Sequence, residues 1–235
     1  MKEIKWSGHT WRKQEPWGLI HPDKSWNYYD ESAVKIDSDN ILHLKTHFNP
    51  KTIQYLGKTF KPNYGVGLIS SKEKFHYGYF EIKAKLPTGY ALWPAFWMYG
   101  SPWPPEIDIF EAYTGNTQHY VHFNIHNPLA FNKVESCIHH GNVSKGTKSN
   151  LPARAGMIFK DPRKHFIKYA CKWTKDYIEM YYDGIRVRRI TDEKILKEMD
   201  QPQMIVINNH LTKKGLDKVG NQESDFQIKY FKYDE

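Results

Sequence analysis

Short runs of strict period-two alternation, each closed by turn residues, constrain this chain more than any other feature. From Tyr79 to Leu86, the residues Phe80, Ile82, Ala84 and Leu86 are apolar, whereas Glu81, Lys83 and Lys85 are charged. Extended chain sends successive side chains to opposite faces, so such a run is a half-buried strand. Val121, Phe123 and Ile125 alternate in the same way with His122, Asn124 and His126 between His119 and His126. Asp183-Gly184 interrupts an apolar-rich run from Tyr177 to Ile190 and reads as a tight hairpin. Ala33–Ile36 and Ile41–Thr46 form a pair around Asp37-Ser-Asp-Asn40, and Asp and Asn suit that turn. Further strands are expected at Gly67–Ser71, Phe166–Trp173, Met204–Asn209 and Asp225–Tyr233.

One short helix is expected, capped by Thr191 or Asp192, running through Met199 and stopped by Pro202. The segment from Met1 to Trp26 reads as loose chain, 49–64 as a loop at a groove rim, and 141–164 as a long connection. Pro94 argues against a regular central strand through Leu92–Tyr99. About a dozen strands without repeat or linker imply one all-β domain over 1–235, an antiparallel sandwich of the jelly-roll type. A curved face of such a sandwich forms a groove open at both ends.

The stretch Trp103-Pro-Pro-Glu106-Ile-Asp108-Ile-Phe-Glu111 puts three carboxylates within six residues. Alternation sends Glu106 and Asp108 to one face and Glu111 to the other. One extra residue, a β-bulge near Ile109-Phe110, returns Glu111 to the side of the other two. Crowded carboxylates repel, which is a poor choice for stability alone. Their proximity pushes pKa values apart, leaving one acid ionised and another protonated near neutrality. That division suits glycoside hydrolysis. An ordinary strand with its acids in water is the plain alternative.

Composition narrows the partners. The chain has 8 Trp, 16 Tyr and 12 Phe, which fits both strands and a sugar-stacking surface. A formal charge of +8 favours anionic partners or simply serves solubility. No recognisable nucleic-acid module and no apolar run long enough to cross a bilayer occurs, so neither nucleic acid nor membrane is an expected partner. The expected partner is a polysaccharide, bound by a monomer. Cys137 and Cys171 lie outside close-spaced metal or redox motifs and are equally consistent with one disulfide or two thiols. The N-terminus lacks the apolar core of a signal peptide, which leaves the compartment open. A zinc site from His122 and His126 is disfavoured, because strand geometry separates them by about 13 Å.

Four motifs occur in order: Gly65–Ser71, Phe75–Pro87, Leu92–Trp97 and Glu106–Glu111. With Tyr169–Trp173 and the Tyr182-Asp-Gly184 hairpin, they resemble glycoside hydrolase family 16, the laminarinase, lichenase, agarase and carrageenase group. The similarity runs from about residue 65 to the C-terminus, and the first 30 residues match poorly. The resemblance implies a jelly-roll endo-hydrolase that retains anomeric configuration. It makes Glu106 the nucleophile, Glu111 the general acid/base and Asp108 the assisting carboxylate, with the two glutamate carboxyls about 5–5.5 Å apart. It also implies that His126 lies near the active centre and that Trp97 and Trp103 bind sugar. Trp93, Tyr113 and Asn124 complete the expected substrate-binding set. No cofactor is implied. A structural calcium is known in the family, but no convincing ligand cluster for it stands in the sequence. Trp103-Pro before the acids resembles laminarinase-type members, so a β-1,3- or mixed β-1,3/1,4-glucan is the leading expectation. The alternatives are an agar-like, carrageenan-like or other sulfated galactan, favoured by the basic charge, and a lectin-like binding module without hydrolysis.

Overall fold

The computed structural model describes residues 2–120, 133–141 and 149–235. The N-terminal third supplies β1 (Glu3–Trp6), β2 (His9–Arg12), β3 (Asn27–Tyr29), β4 (Val34–Ile36), β5 (Leu42–Phe48), β6 (Ile53–Tyr55) and β7 (Lys58–Phe60). The middle supplies β8 (Tyr64–Val66), β9 (Leu68–Ser71), β10 (Gly78–Lys85), β11 (Leu92–Gly100), β12 (Glu106–Glu111), β13 (Lys133–His140) and β14 (Ser149–Met157). The remainder holds β15 (Ile167–Trp173), β16 (Ile178–Tyr182), β17 (Ile185–Ile190), α1 (Glu193–Met199), β18 (Gln203–Leu211) and β19 (Ser224–Asp234).

Two large sheets face each other. The first runs β1-β2-β9-β18-β11-β12-β13-β14, the second β17-β16-β15-β10-β19-β5-β8-β3, with β4 alongside β5. Pairing is antiparallel apart from β3 against β8. The expected alternation sets the core: Phe80, Ile82 and Ala84 of β10 are fully buried and pack with Phe96 and Met98 of β11 and with Ile107, Ile109 and Phe110 of β12. A smaller apolar cluster, including Tyr29, Leu92 and Val206, lies apart from it. Asp183 (φ 48) and Gly184 (φ 85) make the left-handed turn between β16 and β17. Asp192 caps α1 by accepting from the Ile195 amide at 3.0 Å.

Four local expectations need correction. The segment from Met1 to Trp26 is not all loose chain, because β1 and β2 pair as a hairpin there and β2 joins β9. Residues 141–164 are not simply a connection, because β14 lies there and pairs with β13. Its residues Leu151-Pro-Ala-Arg-Ala-Gly156 lack clear alternation, which hid the strand. The 49–64 segment contains the β6–β7 hairpin rather than loop alone. Pro94 sits inside the nine-residue β11, paired across from Asn209 of the central β18. Its carbonyl accepts from the Ala112 amide, just past the end of β12. In a strand the N–H and C=O of one residue point the same way, so the missing donor falls where the β12 ladder has already ended. No helix among the described residues is long and apolar enough to cross a membrane.

Candidate active site

β12 lies between β11 and β13 with its register broken on both sides. Against β11, Tyr99 faces Glu106 and Trp97 faces Asp108, but Phe96 then faces Phe110 and Ala95 faces Glu111. Against β13, Asp108 faces Cys137 and Glu111 faces Glu135, so Ile109 and Phe110 together span Ser136 alone. This is a β-bulge at Ile109-Phe110. Both bulge residues are fully buried in the core. A bulge leaves backbone groups without ladder partners, and here the Ile109 carbonyl accepts from the Tyr182 hydroxyl of the opposite sheet at 3.0 Å. The sequence thereby buries two consecutive apolar residues and brings the acids on either side of them to the outer face.

The indole donors bear this out. Trp103 Nε1 donates to Glu106 Oε2 at 2.5 Å, and Trp93 Nε1 donates to Glu111 Oε1 at 2.9 Å. Tyr113 packs on Trp93 with ring centres 5.4 Å apart and also hydrogen-bonds Glu111. The Trp97 indole, across the ladder from Asp108, donates to Asn208 Oδ1 at 2.7 Å and stacks on Tyr99. A groove of about 570 Å³ opens here, lined by Glu15, Trp17, Trp97, Tyr99, Trp103 and Glu106 among others. Asn124 and His126, like His122, lie outside the described residues.

Electrostatics separates the acids. Asp108 is only 2% exposed. Burial drives its pKa well above the ordinary carboxylate range, and the charges of Glu111 and Glu106 push the same way. Glu111 is also raised, chiefly by burial, while its bonds from Tyr113 and Trp93 pull it back. His139 of β13 lies directly opposite Glu106. Its Nε2 is 3.2 Å from Asp108 Oδ2 and 3.7 Å from Glu106 Oε1. A hydrogen bond with Cys137, opposed by burial and aided by the Glu106 charge, lifts the ring to about 9.

Four residues near the acids escaped the sequence reading. Cys137 and His139 had a legible signal, since Val134, Ser136 and Ile138 alternate with Glu135, Cys137 and His139. Glu15 and Lys24 had none, because Glu15 lies outside any strand or helix and Lys24 in a single 3-10 turn, both lining the groove. Glu15 is fully buried, accepts from the Tyr99 hydroxyl at 3.0 Å, and is raised by burial to about 8. Lys24 Nζ stands 4.1 Å over the Trp93 ring, and burial lowers its pKa against the pull of Glu111, Glu106 and Asp108.

With this geometry in view, comparison with known proteins decides the family. The model of glycosyl hydrolases family 16 matches residues 23–232. The chain belongs to that family. It is 31% identical over 221 residues to a Beta-glucanase of Rhodothermus marinus, covering 86% of this chain and 66% of that one. Three further relatives are spanned over 32% of their length or less. The crystal structure of laminarinase from Flavobacterium sp. UMI-01 is 26% identical with a TM-score of 0.65, covering 89% of this chain and 85% of that one. LamAcat from Zobellia galactanivorans, 17% identical, superposes with a TM-score of 0.73 over 96% of this chain and 90% of that one. The family-16 jelly roll expected from the sequence is the fold observed. Among the described residues, one group of three His, Cys, Asp or Glu side chains converges: Asp108, Cys137 and His139. Sulfur and nitrogen donors do not suit calcium.

Proposed function

We propose that this family-16 chain is a retaining, endo-acting hydrolase of β-1,3- or mixed β-1,3/1,4-glucan. Glu106 attacks the anomeric carbon, while Glu111 gives its proton to the departing glycosidic oxygen. Water, deprotonated by the same Glu111, then cleaves the glycosyl-enzyme and restores both acids. The observation that carries this reading is the Ile109-Phe110 bulge, which puts Glu106, Asp108 and Glu111 on one face with an indole donor on each outer acid. Burial supports Glu111 as the proton carrier by raising its pKa. Asp108, raised further, serves as a neutral neighbour that hydrogen-bonds Glu106 and spares it a third negative charge. The glucan assignment rests on the open groove walled by Trp17, Trp97 and Trp103 and on the Beta-glucanase and laminarinase relatives.

A second reading, hydrolysis of an agar-like, carrageenan-like or other sulfated galactan, draws on Lys24, a cation beside the catalytic acids. Incubation with a panel of glucans and galactans, beside a Glu106→Gln control, separates the readings. Reducing ends from β-glucan support the first, and reducing ends from sulfated galactan alone support the second. Binding of glucan without any cleavage by the native protein refutes both in favour of a lectin-like module.

A further inference from the structure

The pair of facing strands that carries Glu106 also builds a metal-binding arrangement. Antiparallel pairing sets Asp108 opposite Cys137 and Glu106 opposite His139. Side chains directly across such a ladder start about 4.5–5.5 Å apart at Cβ, close enough to converge on one ion. One donor atom from each of Asp108, Cys137 and His139 lies within 4.8 Å of the others. A tetrahedral zinc ion with bonds of about 2.0–2.3 Å holds its donors roughly 3.3–3.8 Å apart, so side-chain shifts of about an ångström close the set.

Two further observations point to a ligand. Asp108 Oδ2 is fully buried and has no hydrogen-bond partner among the described residues, although His139 Nε2 is 3.2 Å away. A buried carboxyl oxygen left without a donor is costly, and a cation that takes the place of the acid's proton, released to solvent, would satisfy it. His139 Nδ1 meets Asn150 Oδ1 at 2.7 Å. That bond fixes the ring with Nε2 toward the acids, the outer-shell arrangement that orients metal-ligating histidines.

We propose that Asp108, Cys137 and His139 form a site for a thiophilic divalent cation of the zinc type, and that its occupancy shuts off the groove by capping Glu106. The thiol selects zinc or cadmium over magnesium or calcium. It binds as thiolate, its proton leaving to solvent. Glu106 Oε1, 3.7 Å from His139 Nε2, is placed to take the fourth position. The shut-off rests on Glu106 being the nucleophile, whereas the site itself does not.

Cadmium chloride titrated into the full chain reads the site directly, through the ultraviolet charge-transfer band of a cadmium–thiolate bond. The expected result is a band that saturates at one equivalent, survives in Glu106→Gln and in Cys171→Ala, and vanishes in Cys137→Ser. Cys171 is fully buried on β15 and serves as the control thiol. Zinc chloride is expected to inhibit native glucan hydrolysis, with the inhibitory concentration at least tenfold higher in Cys137→Ser. No band in the native protein, or a band unchanged in Cys137→Ser, overturns the site. Full activity with the band saturated overturns the shut-off. Should Cys137→Ser fail to fold, His139→Gln takes its place, and a band of undiminished affinity there overturns the site equally.

Discussion

Glu15 carries a pH dependence of stability whose size can be worked out from its surroundings. Its carboxyl is fully buried, one oxygen accepts from Tyr99, and the other has no hydrogen-bond partner among the described residues. Burial raises it from 4.5 to about 8. A carboxyl whose folded pKa lies above its unfolded value stabilises the fold fully below the unfolded pKa, and that contribution is lost as pH rises through the folded pKa. A shift from 4.5 to about 8, at about 1.4 kcal/mol per unit, amounts to about 5 kcal/mol, of which roughly 4 falls between pH 5 and pH 9. Glu15→Gln keeps the shape and the Tyr99 contact but cannot ionise. Native and variant melting temperatures, measured by circular dichroism across that range, should therefore diverge. The native protein is expected to lose about 8–16 °C relative to Glu15→Gln on going from pH 5 to pH 9. Two parallel curves would show that Glu15 does not titrate in this window, and the argument from its burial would fall.

Other consequences are as direct. Glu106→Gln should lower kcat on glucan by at least about three orders of magnitude, or about 4 kcal/mol of barrier, with the melting temperature little changed; a modest loss would remove Glu106 from the chemistry. Because Glu111 must hold a proton to act as acid, kcat/KM should fall as pH rises through its elevated pKa. Trp93→Phe removes a bond that lowers that pKa, so the alkaline limb should move to higher pH, and an unmoved or lowered limb counts against Glu111. Tyr182→Phe leaves the Ile109 carbonyl at the bulge without its donor. It should cost about 1–3 kcal/mol in urea unfolding and depress activity from the opposite sheet; an unchanged unfolding midpoint would mean that the bulge holds without it.

How far the sequence carried these conclusions differs by region. Phe80, Ile82 and Ala84 announced β10 because one face is core and the other water, and alternation records that difference. The acids of β12 announced their own bulge, since burying Ile107, Ile109 and Phe110 together leaves no regular strand that keeps Glu106 and Glu111 on one face. Trp103 is a position the family resemblance supplies, Trp93 and Tyr113 stand near the acids in sequence, and the structure brings all three to them. Trp97 instead lines the groove wall beside Asn208 and Tyr99.

What escaped is long-range or aperiodic. Glu15 lies outside helix and strand and Lys24 ends a single 3-10 turn (Pro22–Lys24), so no periodicity marks them, and their meaning depends on Tyr99 and Trp93 far along the sequence. Pro152 and Gly156 resemble turn residues while the β13–β14 pairing is unseen, so β14 reads as a connection in the sequence alone. Pro94 was read as a strand breaker because only the end of β12 shows why its absent N–H costs nothing. Cys137 and His139 lay in a legible alternation, yet only the register against Glu106 and Asp108 gives them a site to belong to. The two cysteines, left open as thiols or a disulfide, are free thiols on different sheets.

The central claim is that Glu106 becomes covalently glycosylated while Glu111 moves the proton. Trapping with an activated 2-deoxy-2-fluoro laminaribioside, followed by digestion and tandem mass spectrometry, tests it most directly. The account predicts one adduct per chain, on Glu106. An adduct on Asp108 or Glu111, or turnover of β-glucan with no adduct and inverted product anomers, contradicts it.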